Sequence, residues 1–329
     1  MLAIKKIREG DLLSERRPDL FLCACGYEGR AKATAERWFE RAQNKVALGF
    51  VTQQELEYAR NRAWFAEHGF SVFEVPDDAF RQTIDDVFGS GAYAGRDISI
   101  DIDISCMNRF RLAHIVDAIR GLDAKSASVT FHYSIASFTP PVNETAPTVS
   151  VEPVIAQFAG WTTRPDRPPA AVVGLGYEPS KAIGVVDHLE INNATWAFYP
   201  QSPVPEYYDS VRQANQSLLN LIQVDGRCRP YEITEPAQLF HEMNSLVDML
   251  KTNFNPVLIP FGPKLFALVT LLVACVHDDV GVWRVSSGSL EMPVDRRPSG
   301  HSVSLSVLFS RPEESTDGEI ECSPYDLLI

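Results

Sequence analysis

Neither a GxGxxG turn nor a Walker A loop occurs in the 329 residues, so classical dinucleotide and P-loop ATP binding are poorly supported. There is no CxxC pair, no finger-spaced His and Cys and no HExxH helix, which removes the common zinc sites, and neither a GxSxG elbow nor a kinase signature is present. Cysteine is scarce: the six residues, Cys23, Cys25, Cys106, Cys228, Cys275 and Cys322, are scattered. Cys23 and Cys25 alternate within an apolar run, so both face one side of a strand and read as buried, reduced thiols. No metal and no cofactor are expected. The first twenty residues lack the apolar core of a signal peptide. The longest apolar run, 265–276, has about twelve residues against the roughly twenty that span a bilayer. The expected setting is therefore cytoplasmic, with no membrane partner. Positive charge is also in deficit: 30 Lys and Arg oppose 43 Asp and Glu, for a net charge of −13. Such a field repels nucleic acid, so direct nucleic-acid binding is not expected, and an anionic ligand would need a locally basic pocket.

What is present is ordinary globular composition, 45% hydrophobic and 22% charged, in a chain long enough for two domains. Breaker-rich tracts at 137–150 and 161–169 punctuate the middle, and a boundary in the second gives domains over 1–160 and 168–329. In the first, apolar strands at 19–25, 46–51, 70–75, 97–104 and 127–135 alternate with helices at 30–43, 54–67, 78–88 and 108–121. In the second, strands are expected at 170–175, 195–199, 257–261, 280–286 and 302–310. Its helices are expected at about 178–189, 207–222, 235–252 and 264–276. This alternation indicates βαβ units on a largely parallel sheet. Each half opens with strand-GYE-helix, FLCACGYEGRAKA against AVVGLGYEPSKA. Each closes with strand-loop-cation-helix, IDISCMNRFRLAHIV against LIPFGPKLFALVTL. The interval from Glu28 to Arg109 is 81 residues and from Glu178 to Lys264 is 86. The fold class read from this is α/β: two tandem Rossmann-like three-layer domains related by internal duplication.

In a doubly wound sheet of order 3-2-1-4-5, ligands sit beyond the carboxyl ends of the strands where the order reverses, between strands one and four. The GYE loops follow strand one, and the Asn108-Arg109 and Pro263-Lys264 turns follow strand four, so the repeated polar residues converge on one mouth per half. Arg109 and Lys264 each begin a helix, where a cation and unpaired N–H groups suit phosphate or carboxylate; a solvated surface cation is the plainer alternative. Glu28 and Glu178 offer acceptors for ribose hydroxyls or a base edge, a partner for the basic residue across the mouth, or simply a favourable charge at a helix start. Tyr27 and Tyr177 could stack a base or pack over the sheet end. Gly176, in GLGYEP, reports a tight βα turn. The candidate ligand-binding set is therefore Tyr27, Glu28, Asn108, Arg109, Gly176, Tyr177, Glu178 and Lys264. Asp97, Ser99, Asp101, Asp103 and Ser105 share one face of a strand opposite Ile98, Ile100, Ile102 and Ile104. Because a central parallel strand is buried on both faces, either this strand borders solvent or an interface, or its terminal acids line a site. Asp103 is the one weak catalytic candidate, as metal ligand or general base, with no counterpart in the second half. The seven histidines show no catalytic spacing.

The segment IPFGPKLFALVTLLVA resembles the fourth-strand loop and helix of CARF domains, with PFGPK where that family has a Gly-Gly-Thr-Lys type turn. The resemblance covers about forty residues. CARF domains and the related tandem SAVED modules are Rossmann-like sensors of cyclic oligonucleotides in prokaryotic antiviral systems. Ligands lie across a two-fold or pseudo-two-fold axis on the loops after strands one and four. The resemblance implies a nucleotide-sensing or regulatory subunit of an antiviral defence system. Its ligand would be an anionic, nucleotide-like small molecule, and it would act through a separate effector protein. Two rivals stand beside it: a metal-dependent nucleotide or phosphodiester hydrolase using Glu28, Asp103 and Arg109, and a structural interaction module whose mouths are non-functional. Basic mouths favour the first reading, an acid cluster the second, aromatic plugs the third.

Overall fold

The computed structural model describes residues 1–10, 17–89, 91–141, 148–160, 164–222, 226–286 and 293–312. A short strand, β1 (Ala3–Glu9), precedes the first alternating set: β2 (Leu20–Cys25), α1 (Ala35–Trp38), β3 (Asn44–Phe50), α2 (Tyr58–Glu67), β4 (Ser71–Val75), α3 (Phe80–Phe88), β5 (Asp97–Asp103), α4 (Arg109–Arg120) and β6 (Ser126–Ala136). After β7 (Ser150–Pro153) the second set runs β8 (Pro169–Gly174), α5 (Lys181–His188), β9 (Thr195–Gln201), α6 (Glu206–Ala214), α7 (Gln216–Ile222), β10 (Cys228–Glu232), α8 (Pro236–Leu250), β11 (Asn255–Pro260), α9 (Lys264–Val276), β12 (Gly281–Ser286) and finally β13 (Pro298–Ser310). Short apolar strands are followed by helices with one buried face, and α9 is buried all round, as an uninterrupted apolar helix requires.

The strands form a seven-stranded sheet, β1-β13-β6-β5-β2-β3-β4, and a six-stranded sheet, β10-β9-β8-β11-β12-β7. Strands β2 to β6 are mutually parallel in the order 3-2-1-4-5, and β8 to β12 repeat that order. The protein is thus a two-lobed Rossmann-like α/β fold, with an order reversal between β2 and β5 in one lobe and between β8 and β11 in the other.

The expected division at residues 160 and 168 does not describe the strand pairing. β7, from the first half, lies antiparallel on β12, with Trp283 opposite Pro153. β13, from the second half, lies antiparallel on β6, with Val307 opposite Val129, and β1 covers its other side. Each half therefore gives the other the strand that pairs the open edge of its fifth parallel strand. Alternation along 302–310 predicts a strand but is silent about which sheet receives it. The hydrophobic core is likewise shared: one cluster contains Ile100 and Ile115 together with Met243 and Leu268. Helix α4 packs on α9, and α8 and α9 pack on β1. The helices that follow the fourth strand of each lobe are thus in mutual contact.

Two helices differ from expectation. The 30–43 segment is helical only at α1 and a following 3-10 turn, Phe39–Arg41, because Arg30 is drawn away: its N–H donates to the Arg296 carbonyl at 3.1 Å. The 207–222 helix is broken into α6 and α7 at Asn215, whose side chain is committed elsewhere. Strands β1, β7 and β10 were not expected. Cys322 lies outside the described residues. Among the described residues no helix is long and apolar enough to cross a membrane.

Candidate functional site

The two mouths are not separate. All eight candidate ligand-binding residues line one cavity of about 1030 Å³ between the lobes. Both GYE loops and both fourth-strand turns reach it. Its described lining carries seven Lys and Arg side chains against five Asp and Glu, in a chain whose overall charge is −13. A cross-lobe contact joins two of the lining residues, Arg109 Nη2 donating to the Gly262 carbonyl at 3.3 Å.

The GYE turns are built alike. A Cβ on Gly26 would lie 2.9 Å from Cys106 Cβ, and one on Gly176 would lie 2.9 Å from the Gly262 nitrogen and against the Glu178 carboxylate. In both lobes the glycine lets the loop after strand one touch the loop after strand four. A buried asparagine then holds each turn from behind. Asn61 Nδ2 donates to the carbonyls of Gly26 and Glu28, both at 2.9 Å. Asn215 Nδ2 donates to the Gly176 carbonyl at 2.7 Å and to that of Val211 at 2.8 Å. Sequence reading missed this pair because Asn61 lies within α2 and Asn215 at the break between α6 and α7, and the two share no local motif.

The two glutamates diverge. Glu178 is half-buried on the cavity wall, whereas Glu28 is buried and receives Arg30 Nε at 2.6 Å and Arg296 Nη1 at 3.3 Å. Arg30 is itself buried; its Nη1 donates to the Ser134 carbonyl at 2.7 Å, and it lies over the Tyr133 ring at 5.5 Å. Arg296 also reaches the second lobe, donating through Nη2 to the Tyr177 hydroxyl at 3.3 Å. It belongs to the segment leading into β13, held by Gly29 N–H donating to Asp295 at 2.7 Å and Ser137 N–H donating to the Arg297 carbonyl at 2.8 Å. Arg30 and Arg296 were invisible as site residues in the sequence, since neither lies in the duplicated pattern at the fourth strand. The Tyr177 ring meets Tyr207 at 5.6 Å, and Tyr207 donates to the Ser137 carbonyl at 3.0 Å across the lobes. Tyr27 is half-buried and lines the cavity.

Asn108 caps α4, its Oδ1 accepting from the Arg111 N–H at 2.7 Å. Lys264 begins α9 behind Pro263, which supplies no side-chain cap. Lys264 is half-buried and lines the cavity; among the described residues none makes a hydrogen bond or ion pair with its ammonium. Burial lowers its pKa most, and the Arg109 charge next, to about 8, with Glu28 pulling the other way. Cys106 also lines the cavity, with its pKa raised by burial and then by Glu28.

Asp103 is not at the mouth. It is 2% exposed, and its Oδ1 accepts from the Ser105 N–H at 2.9 Å and the Ser105 hydroxyl at 2.5 Å. Burial raises its pKa, opposed by the Ser105 hydrogen bonds. The polar face of β5 is open to solvent at Asp97, but at Asp101 and Asp103 it faces neither solvent nor the cavity. There it is covered by the 30–41 segment and forms a buried polar layer with His132, on which Trp38 stacks at 5.9 Å. His132 Nε2 lies 3.4 Å from Asp101, and its Nδ1 is 2.9 Å from the Ser304 hydroxyl on β13. A hydrogen-bonded path nevertheless joins this layer to the cavity, because Ser105 Oγ accepts from Ser134 N–H at 2.8 Å and the Ser134 carbonyl receives Arg30. Among the described residues no group of three or more His, Cys, Asp or Glu side chains is placed to hold a metal ion.

No family model and no curated protein matches the chain. Among solved structures, similar chains include a protein of Galdieria sulphuraria described as a sarcosine dimethylglycine methyltransferase. It is 8% identical, with 89% of this chain and 78% of that chain covered, at a TM-score of 0.23. An overlay that loose has no bearing on activity, and the fold assignment rests on the twice-repeated strand order.

Proposed function

We propose that the protein binds one anionic, nucleotide-like small molecule in the inter-lobe cavity and acts as a sensing or regulatory subunit on a separate effector protein. The setting would be the prokaryotic antiviral defence that the CARF and SAVED resemblance implies. The observation that carries this reading is the convergence of both GYE loops and both helix-start cations on one locally basic cavity in an acidic protein. Cations at the starts of α4 and α9 suit phosphate, and the aromatic wall of Tyr27, Tyr177 and Tyr207 suits a base or sugar face. Occupancy has a route outward, since Arg296 joins Glu28 of one lobe to Tyr177 of the other and leads directly into β13. The hydrolase reading has less support, because Asp103 is buried away from the cavity.

Calorimetric titration with a panel of linear and cyclic nucleotides tests this. Binding of at least one member is expected, and it should weaken about ten- to a hundredfold in Lys264→Ala, the range for a lost charge-assisted hydrogen bond. Absence of binding across the panel, or binding indifferent to Lys264, overturns the proposal.

A further inference from the structure

The cavity also holds an amine in an unusual state, and the inference drawn from it rests on the same anion-binding site. Lys264 opens onto a space of about 1030 Å³, and among the described residues nothing pairs with its Nζ. A buried lysine is ordinarily matched to a carboxylate. Here the acid whose charge acts on it, Glu28, is already held by Arg30 at 2.6 Å and Arg296 at 3.3 Å. The neighbouring cations Arg109, Arg296 and Arg30 all disfavour the ammonium form. These are the two conditions that turn lysine into a nucleophile, partial desolvation and adjacent positive charge. The same guanidinium groups, with the uncapped N–H groups at the start of α9, suit the phosphate of whatever brings an electrophile to the amine.

We propose that Lys264 captures a phosphate-bearing aldehyde as a covalent imine. The neutral amine Nζ adds to the carbonyl carbon, forming a C–N bond as the C=O π pair moves to oxygen. The resulting carbinolamine loses its hydroxyl as water, taking up one proton from solvent and losing the nitrogen proton, and leaves a C=N bond to Lys264. Amine and aldehyde thus give imine and water, with no oxidant or reductant. Phosphate binding by the cations supplies selectivity, and the cavity walls supply a site large enough for a sugar phosphate or a phosphorylated ring. With the pKa near 8 rather than the ordinary 10.5, the neutral fraction at pH 7 to 7.5 is on the order of a hundredfold larger than for an exposed lysine.

The full chain is incubated with pyridoxal 5′-phosphate or with pyridoxal, which lacks the phosphate. The imine is trapped with borohydride and each lysine is followed by peptide mass mapping. Lys264 is expected to be modified at least about tenfold faster than any other lysine, and about tenfold faster by the phosphorylated aldehyde than by pyridoxal. Its labelling rate should rise with pH and level off above about 8, while exposed lysines continue to gain reactivity towards pH 10. In Lys264→Arg the label should vanish from that peptide alone. Labelling spread evenly over the exposed lysines, an unlabelled Lys264, or equal rates with the two aldehydes overturns the proposal; the wild-type map decides this even where a variant misfolds. Nucleotide titration is read separately. Nucleotide binding with an inert Lys264 sinks the imine alone, and a reactive Lys264 without nucleotide binding sinks the sensor reading alone.

Discussion

Glu28 and Lys264 share one electrostatic neighbourhood but carry opposite consequences when removed. Glu28 compensates Arg30, which is 3% exposed, so Glu28→Ala leaves a buried guanidinium without its carboxylate. A loss of about 3–5 kcal/mol is expected, read as a lowered urea midpoint. Lys264 compensates nothing among the described residues, so Lys264→Ala should leave Tm unchanged or slightly raised while anion binding falls about ten- to a hundredfold. A large fall in Tm would instead mark a structural ion pair. The sign of the pH effect follows from the lowered pKa. Below about 8 the lysine is protonated in both folded and unfolded chains; between about 8 and 10.5 only the unfolded chain keeps the proton. Stability therefore rises with pH across that window, and anion affinity falls as pH passes 8. Calorimetry from pH 6.5 to 9.5 should show this fall in the wild type and a flat profile in Lys264→Arg. Asp103→Asn gives the opposite test. Buried beside Ser105, it should leave partner activation and phage protection largely intact where Glu178→Ala and Lys264→Ala impair them. Loss of protection in Asp103→Asn alone, with divalent-metal-dependent nucleotide cleavage by the wild type, would replace the sensor with the hydrolase.

At the scale of elements, the βα turns hold the site. Asn61 and Asn215 each satisfy buried carbonyls of a GYE turn, and replacing either by Ala should cost about 1–3 kcal/mol by leaving acceptors unpaired. Because the two act in different lobes through separate turns, the double variant should be additive in chemical denaturation. Much of this was legible in sequence. Strand-GYE-helix and strand-cation-helix are local patterns, and local patterns fix which residues end a strand and begin a helix. That is why all eight candidates reach the cavity. Asn61, Asn215, Arg30 and Arg296 were not legible, because their roles depend on which backbone carbonyl or carboxylate comes near from a distant segment. Arg296 reaches Glu28 across 268 positions of sequence. Asp103 misled for a related reason. The alternation along β5 is real, but polar residues from β6, β13 and the 30–41 segment meet it and bury it.

At the scale of the whole molecule, the exchanged strands and shared core bind the lobes into one cooperative unit. Residues 1–160 expressed alone lack β13, which leaves the β6 edge bare, and residues 168–329 lack β7 on β12. Each fragment is expected to aggregate or remain unfolded, co-expression should restore a soluble complex, and the intact chain should give a single calorimetric transition. Two separated transitions would show independent lobes instead. The sequence by itself determined the α/β class, the alternation of strands and helices, the duplication and the convergence of repeated polar residues, because hydrophobic period and turn chemistry are encoded within a few neighbouring positions. Only the tertiary structure decided that the two mouths form one cavity, that β7 and β13 change places, that Glu28 is held by arginines and that Lys264 is left without a partner. Strand pairing at an open edge and charge compensation in a buried space depend on the meeting of segments far apart in the chain. No local pattern records which segments meet.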